Sequence, residues 1–149
     1  MEPKVLVSAC LLGERCRYDG QTKFDPSIME RFKDKEIIPF CPEAPLFGTP
    51  RPRINLVDEH GKIAVIRESD GEDVTDVLQK QTKTLVDSLV GIEWIVLKSK
   101  SPSCGLDTTP IKDMQTGVSY LGDGLSAKYL KSHFPQALFF DEEGIKNQS

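Results

Sequence analysis

The chain has 149 residues, 38% of them hydrophobic and 28% charged, which is ordinary for a folded domain, and no apolar run is long enough to span a bilayer. A formal net charge of -4 without a Lys/Arg cluster argues against a non-specific hold on nucleic acid, which requires neutralised phosphates. We therefore expect a single domain over residues 1–149, with neither a membrane span nor a stable nucleic-acid partner.

The first predicted strand runs from Lys4 through an apolar stretch and ends at Cys10. No basic-then-apolar leader precedes it, so we expect a cytoplasmic protein. Thiols are kept reduced in the cytoplasm, which makes the four cysteines candidates for metal ligands or reactive groups rather than for two disulfides.

A functional loop and a second strand follow. The loop covers residues 11–25 and carries Cys16 between two arginines, and Ser27 is predicted to cap a short helix. The second strand covers residues 37–40 and ends at Cys41, where prolines stop the hydrogen-bonded ladder.

An extended strap is predicted over residues 46–53, because its prolines fix extended backbone and present Arg51 and Arg53 from a rigid segment. Residues 54–57 and 62–66 then flank a turn sequence and predict a β-hairpin.

The longest amphipathic helix is predicted over residues 74–90, ended by Gly91. It leads into Glu93–Gly105, where four large apolar residues predict a strand buried on both faces before a turn that contains Cys104. The rest is predicted as a polar loop with Gly117, Gly122 and Gly124, a helix through 127–130, a strand over 137–140 and a polar tail.

This alternation predicts an α/β fold: a single Rossmann-like domain with a mainly parallel twisted sheet, flanking helices and a small β-hairpin. Ligands of such sheets bind in the crevice outside the carboxyl ends of the strands. Cys10, Cys41 and Cys104 each follow a predicted strand, so the sheet is expected to bring them together.

The spacing of the cysteines leaves several chemistries open. No Cys-x-x-Cys pair is present, which disfavours a zinc knuckle and a thioredoxin-like redox pair. Thiolates from three strand ends suit a cubane iron–sulfur cluster, whose corners need ligands from several directions. Each cysteine is equally compatible with a buried core position. Three roles remain open for Cys16: a fourth ligand, a thiol of lowered pKa, or a loop residue without a chemical role.

Polar neighbours of the cysteines are further candidates. Glu43 is suited to proton transfer beside a metal site from which water is partly excluded. The alternative interpretation is that Glu43 is a solvated surface residue. Ser101 and Ser103 are suited to orienting water or substrate. The alternative interpretation is that these serines only form a turn. The two histidines, His60 and His133, are expected on the surface.

Several motifs occur in a fixed order: Val7–Gly13 (VSACLLG), Cys16–Gly20 (CRYDG), Cys41–Glu43 (CPE) with Pro50–Pro52 (PRP), and Lys98–Gly105 (KSKSPSCG). Together they closely resemble the thiouracil desulfidase (TudS-like) family over nearly the whole chain. The resemblance implies an oxygen-sensitive [4Fe-4S] cluster held by only three cysteines. It also implies removal of sulfur from thiouracil, a small thiolated nucleobase, to give uracil and hydrosulfide without net redox change.

Carried onto this sequence, the resemblance implies that Cys10, Cys41 and Cys104 are the cluster ligands. It implies that Glu43 and Ser101 form a catalytic pair around a water molecule. A cluster with three protein ligands leaves one iron open, and a soft thiocarbonyl sulfur suits that Lewis-acidic position.

Arg17, Tyr18 and Arg51 are candidate contacts to the substrate or to the cluster sulfides. Two other functions remain open at this point. One is a cysteine persulfide sulfurtransferase with Cys104 or Cys16 as nucleophile, and the other is a zinc-stabilised binding module.

Overall fold

The computed structural model describes residues 3–15 and 17–146, so Cys16 lies outside the described residues. The strands in this part of the chain are β1 (Lys4–Ser8), β2 (Glu36–Phe40), β3 (Ile54–Glu59), β4 (Lys62–Arg67), β5 (Ile92–Leu97), β6 (Thr109–Asp113), β7 (Ser119–Gly122) and β8 (Leu138–Asp141). The helices are α1 (Pro26–Arg31), α2 (Ala44–Phe47), α3 (Thr75–Val86), α4 (Leu125–His133) and α5 (Glu142–Lys146), and a 3-10 turn covers Ala9–Leu12. None of these helices is long and apolar enough to cross a membrane.

The main sheet is fully parallel, with strand order β2-β1-β5-β8. Successive side chains of a strand point to opposite faces, and both faces of the central strands are buried. Val5 and Val7 pack on one side with Ile28 of α1 and Ile145 of α5. Leu6 packs on the other side in a core that also contains residues of α3 and α4. The predicted α/β class with a mainly parallel sheet is confirmed.

The neighbours of β1 in the sheet are β2 on one side and β5 on the other. The chain passes from β1 to β2 on one side and later returns as β5 on the other side. This reversal is a topological switch point, where the loops after neighbouring strands diverge and leave a crevice. The crevice is therefore expected at the carboxyl ends of β1 and β5.

The predicted β-hairpin is half of a second sheet, with order β4-β3-β6-β7. β3 pairs antiparallel with β4 and parallel with β6, and β6 pairs antiparallel with β7. The prediction of a polar loop over β6 and β7 was wrong, because only Thr109 and Ile111 of these two strands are buried and no alternating apolar pattern results. Leu78 of α3 packs against this sheet.

Other boundaries also differ from the predictions. Asp25, not Ser27, is the N-cap of α1, because its Oδ1 accepts the Ser27 N–H at 3.1 Å while Pro26 occupies the first helical turn. The helical turn α2 (Ala44–Phe47) covers the first two residues of the predicted strap. α3 ends at Val86 rather than near residue 90. Residues 142–146 of the predicted polar tail form α5 directly after β8.

Candidate functional site

A cavity of about 560 Å³ lies at the carboxyl edge of the parallel sheet. Its lining includes all five residues predicted to be ligands or catalytic groups: Cys10, Cys41, Glu43, Ser101 and Cys104. These residues come from the segments that follow β1, β2 and β5, which is the arrangement that a topological switch point produces. The sheet therefore brings together side chains that lie far apart in sequence.

Cys10 is held by the 3-10 turn that follows β1, and only 7% of the residue is exposed. The backbone carbonyl of Cys10 accepts hydrogen bonds from Thr22 Oγ1 at 2.7 Å and from the Lys23 N–H at 3.0 Å. The loop after Cys10 is thus tied back to the backbone of this residue, which lines the cavity.

Cys104 lies in a tight turn organised by Ser101. The Ser101 hydroxyl accepts the backbone N–H groups of Ser103 at 3.2 Å and of Cys104 at 3.0 Å. The Thr109 hydroxyl donates to the Ser101 carbonyl at 2.6 Å. Ser101 therefore has the turn-forming role that serines often have, and the residue also lines the cavity.

The N-terminus of α4 packs directly against this turn. The N–H groups of Leu125 and Ala127 donate to the carbonyls of Pro102 and Ser103, both at 2.9 Å. A Cβ atom on Gly124 would lie 2.5 Å from the Ser103 carbonyl carbon, far closer than real contacts allow. Glycine is required there because the backbone of the turn touches the start of the helix.

The thiol of Cys104 is buried, and burial raises its pKa to about 12. Electrostatic interactions with the neighbouring Cys41 and Glu43 also raise the pKa of Cys104. The Ser8 and Ser101 hydroxyls lower the pKa of Cys104, but by less than burial raises it. Such a thiol is protonated at neutral pH and is a weak nucleophile, whereas a bound metal deprotonates its thiol ligands.

Glu43 is buried, with 8% of the residue exposed. Ser103 Oγ donates to Glu43 Oε2 at 2.7 Å, and Arg51 Nε lies 3.5 Å from Glu43 Oε1. Both carboxylate oxygens are thus held by partners inside the fold. This geometry differs from that of a solvated surface glutamate and pre-orients the carboxylate at the cavity.

Basic residues are concentrated around the cavity although the whole chain carries a net charge of -4. Six basic residues contribute to its lining: Arg17, Lys23, Arg51, Arg53, Lys98 and Lys100. The guanidinium of Arg53 lies 4.5 Å from the ring centre of Tyr18 and also donates to its hydroxyl. Positive charge concentrated in a cleft attracts anions and offsets the charge of several thiolates.

A second polar cluster borders the cavity and was missed by the sequence analysis. Lys98 Nζ lies 2.9 Å from Glu142 Oε2, and the backbone N–H of Ser99 donates to Glu142 Oε1 at 2.7 Å. Burial opposes ionisation of Glu142, but the hydrogen bonds from Ser99 and Lys98 outweigh it, so its pKa is lowered. Its position in the sequence could have indicated Glu142 as a site residue, because it follows the last predicted strand.

The three described thiols line one cavity. Within residues 3–15 and 17–146, no three His, Cys, Asp or Glu side chains stand close enough to hold one metal ion. A single zinc ion needs donors at about 2.0–2.3 Å from one point. Cys10, Cys41 and Cys104 are thiols rather than disulfides, and they surround a common space. His60 and His133 are exposed, as expected.

Fold and site together define an α/β protein with a three-thiol cavity at the carboxyl edge of a parallel sheet. Residues 5–143 match the model of the 2-thiouracil desulfurase family, and the chain belongs to that family. The resemblance found in the sequence motifs is thereby confirmed.

Two relatives are informative. The chain is 32% identical over 135 residues to the uncharacterized protein YbbK of Bacillus subtilis (strain 168), covering 85% of this chain and 89% of YbbK. The structure is similar to that of TudS, a [4Fe-4S]-dependent thiouracil desulfidase, with a TM-score of 0.73 and 33% sequence identity. That match covers 97% of this chain and 94% of the TudS chain.

Proposed function

We propose that this protein is a [4Fe-4S]-dependent thiouracil desulfidase that converts thiouracil and water to uracil and hydrosulfide. The observation that carries the proposal is the convergence of Cys10, Cys41 and Cys104 on one cavity beside the buried Glu43. Membership of the 2-thiouracil desulfurase family and the similarity to TudS support the cofactor and the substrate class.

Cys10, Cys41 and Cys104 would hold the cluster through three thiolates. A cluster bound in this way supplies one iron without a protein ligand, a Lewis-acidic position that suits a soft thiocarbonyl sulfur. The cationic lining, which includes Arg17, would offset the negative charge that three thiolates and a departing sulfide bring into the cavity.

Glu43 is the proposed base for the attacking water. Its carboxylate is fixed on both oxygens, so it can accept a proton at a defined place in the cavity. Ser101, which lines the cavity, is the proposed partner that orients the water. Water oxygen bonds to the ring carbon, the carbon–sulfur bond breaks, and the sulfur leaves with the electron pair. The overall step is a hydrolysis without net redox change.

Arg17 and Tyr18 are proposed to contact the substrate or the cluster sulfides from the rim of the cavity. Arg51, the third candidate, is buried beside Glu43 and is proposed to act by holding that carboxylate. The single iron–sulfur domain over residues 1–149 and the cytoplasmic location stay predictions from the sequence.

The persulfide sulfurtransferase is less well supported. The raised pKa of Cys104 leaves little thiolate for nucleophilic attack at neutral pH. Cys16, the other candidate nucleophile, lies outside the described residues. A zinc-stabilised module requires ligands that converge on one ion. The described part of the chain contains no such group of side chains.

The deciding experiment is anaerobic purification and reconstitution, followed by analysis of iron, sulfide and zinc. We expect about four irons and four sulfides per chain, and turnover of thiouracil to equal amounts of uracil and hydrosulfide. In H2(18)O the new uracil oxygen should carry the label if the step is a hydrolysis. A colourless, zinc-loaded protein would support the binding module instead. Sulfur transfer by the iron-free protein would support the sulfurtransferase.

A further inference from the structure

Two lysines follow β5 with only Ser99 between them, and both line the cavity. The ammonium group of Lys98 is occupied inside the protein: its Nζ lies 2.9 Å from Glu142 Oε2 and donates to the Ser99 carbonyl at 2.9 Å. Lys100 is exposed, and its ammonium group makes no hydrogen bond or ion pair with any residue of the described ranges 3–15 and 17–146. The charge of Lys98 is therefore neutralised internally, whereas the charge of Lys100 is available to a ligand.

The backbone of Lys100 has a conformation that favours glycine. Its φ is 65°, in the left-handed region that residues with a Cβ atom adopt only at a cost. The Lys100 N–H donates to Thr108 Oγ1 at 2.8 Å, and the Thr109 hydroxyl donates to the carbonyl of the next residue, Ser101, at 2.6 Å. Two neighbouring threonines thus hold this strained segment in place. Such strain is concentrated at functional sites, and the turn itself does not require a lysine, because glycine would adopt the same backbone without strain.

We propose that Lys100 is a substrate-binding residue: its ammonium group donates a hydrogen bond to the ring carbonyl oxygen of thiouracil. This inference rests on the proposed function, because it concerns the substrate of that reaction. Thiouracil has one thiocarbonyl and one carbonyl group on the same ring, and the carbonyl oxygen stays in place while the sulfur is removed. An ammonium group, with three donors and no acceptor, is suited to that oxygen. The hydrogen bond orients the ring and withdraws electron density from it, which makes the thiocarbonyl carbon more susceptible to attack by water.

The competing explanation is that Lys100 is a solvated lysine whose backbone conformation results only from the turn. The two explanations differ in what they predict for substitution by glycine, which removes the backbone strain and the ammonium group together. A solvated lysine predicts a Lys100→Gly protein with wild-type kinetics. A substrate-binding lysine predicts a Lys100→Gly protein that is at least as stable as the wild type but less active.

The test uses three variants of the full chain, reconstituted anaerobically: Lys100→Gly, Lys100→Met and Lys100→Arg. Methionine keeps an unbranched side chain without the charge, and arginine keeps the charge and the donors. His60→Gly is the matched control, because His60 is an exposed residue with a φ of 55° in the turn between β3 and β4. The measurements are the thermal midpoint of unfolding and kcat/KM per loaded cluster. Two substrates are compared: 4-thiouracil, and pyrimidine-4-thione, which lacks the ring carbonyl.

We expect Lys100→Gly and Lys100→Met to lower kcat/KM for 4-thiouracil by about 10–100-fold, the usual contribution of a hydrogen bond from a charged group. Lys100→Arg should lose much less, and His60→Gly should keep wild-type kinetics. The wild-type protein should use pyrimidine-4-thione less well than 4-thiouracil by a similar factor, and Lys100→Met should reduce that difference. The thermal midpoint of Lys100→Gly should equal or exceed that of the wild type.

Several outcomes would overturn this inference and leave the proposed function intact. One is wild-type kcat/KM for 4-thiouracil in loaded Lys100→Gly and Lys100→Met, and another is a wild-type protein that uses both substrates equally well. If Lys100→Gly does not load with the cluster, the comparison of Lys100→Met with Lys100→Arg decides. A wild-type protein that takes up no iron, or that leaves thiouracil unchanged, would overturn the proposed function and the inference with it.

Discussion

Ser103 donates a 2.7 Å hydrogen bond to Oε2 of Glu43, a residue 60 positions earlier in the chain. The bond connects the turn after β5 with the loop after β2 and lies inside the protein, because Ser103 is fully buried. Ser101, in contrast, is one of the residues that line the cavity. The two serines of the turn thus have different surroundings, which sequence position alone did not reveal.

Replacing the proposed base is the first prediction. Glu43→Gln keeps the shape and the position of the side chain but cannot accept the proton of the attacking water. We expect a retained cluster and a turnover rate lower by roughly 10²–10⁴-fold, the usual contribution of general acid–base catalysis. Rates should be measured per loaded cluster. Wild-type turnover by a loaded Glu43→Gln protein would remove Glu43 from the mechanism.

The two serines are expected to respond differently to substitution. Ser103→Ala leaves a buried carboxylate oxygen without its donor, so we expect a loss of about 1–3 kcal/mol in the free energy of unfolding and a reduced rate per cluster. Ser101→Ala should keep the cluster and lose rate by less than Glu43→Gln does. Denaturant titration and steady-state kinetics measure the two effects. The assignment fails if Ser103→Ala matches wild type in both.

Cluster content should separate the four cysteines. Single replacements of Cys10, Cys41 and Cys104 by alanine are expected to abolish iron binding after anaerobic reconstitution, because each removes one of only three thiolate ligands. Cys16→Ala is expected to retain the cluster. Iron and sulfide analysis and the visible absorption spectrum measure the outcome. Loss of the cluster in Cys16→Ala, with retention in one of the other three variants, would contradict the ligand assignment.

Gly124 offers a test of how α4 supports the cysteine-bearing turn. In Gly124→Ala the new Cβ would lie 2.5 Å from the Ser103 carbonyl carbon, so the turn and the helix must separate. We expect a loss of about 1–3 kcal/mol in the free energy of unfolding, typical of overpacking, and less cluster per chain. Gly144→Ala is the matched control, because its Cβ would have no contact closer than 3.4 Å. Equal stability of the two variants would argue against this packing.

Acid stability should depend on Glu142. Its pKa in the folded protein lies below the ordinary value of 4.5, despite burial, because Ser99 and Lys98 donate hydrogen bonds to it. The stabilisation is therefore fully present above the unfolded pKa and is lost as the pH falls through the lower folded pKa. We expect Glu142→Gln to flatten the pH dependence of the unfolding free energy below about pH 4.5. The exposed Glu93→Gln is the control, and equally steep curves for wild type and Glu142→Gln would contradict the prediction.

Local sequence patterns determined the parallel sheet and the place of the candidate site. Apolar runs such as Trp94–Leu97 predict strands buried on both faces, because side-chain periodicity is set by neighbours along the chain. The residue that follows such a run lies at the carboxyl edge of the sheet wherever the strand is placed. That rule was enough to bring Cys10 and Cys41 to one site with Cys104, and the order of the motifs was enough to indicate the family.

The tertiary structure alone decided the partners of these groups. β6 and β7 carry too few buried residues for a periodic signal, and they became strands because β3 offered an edge to pair with. The bonds from Ser103 to Glu43 and from Lys98 to Ser8 join residues 60 and 90 positions apart. Which hydroxyl meets which acceptor depends on distances of a few tenths of an ångström across the packed sheet, and local propensities along the chain do not encode those distances.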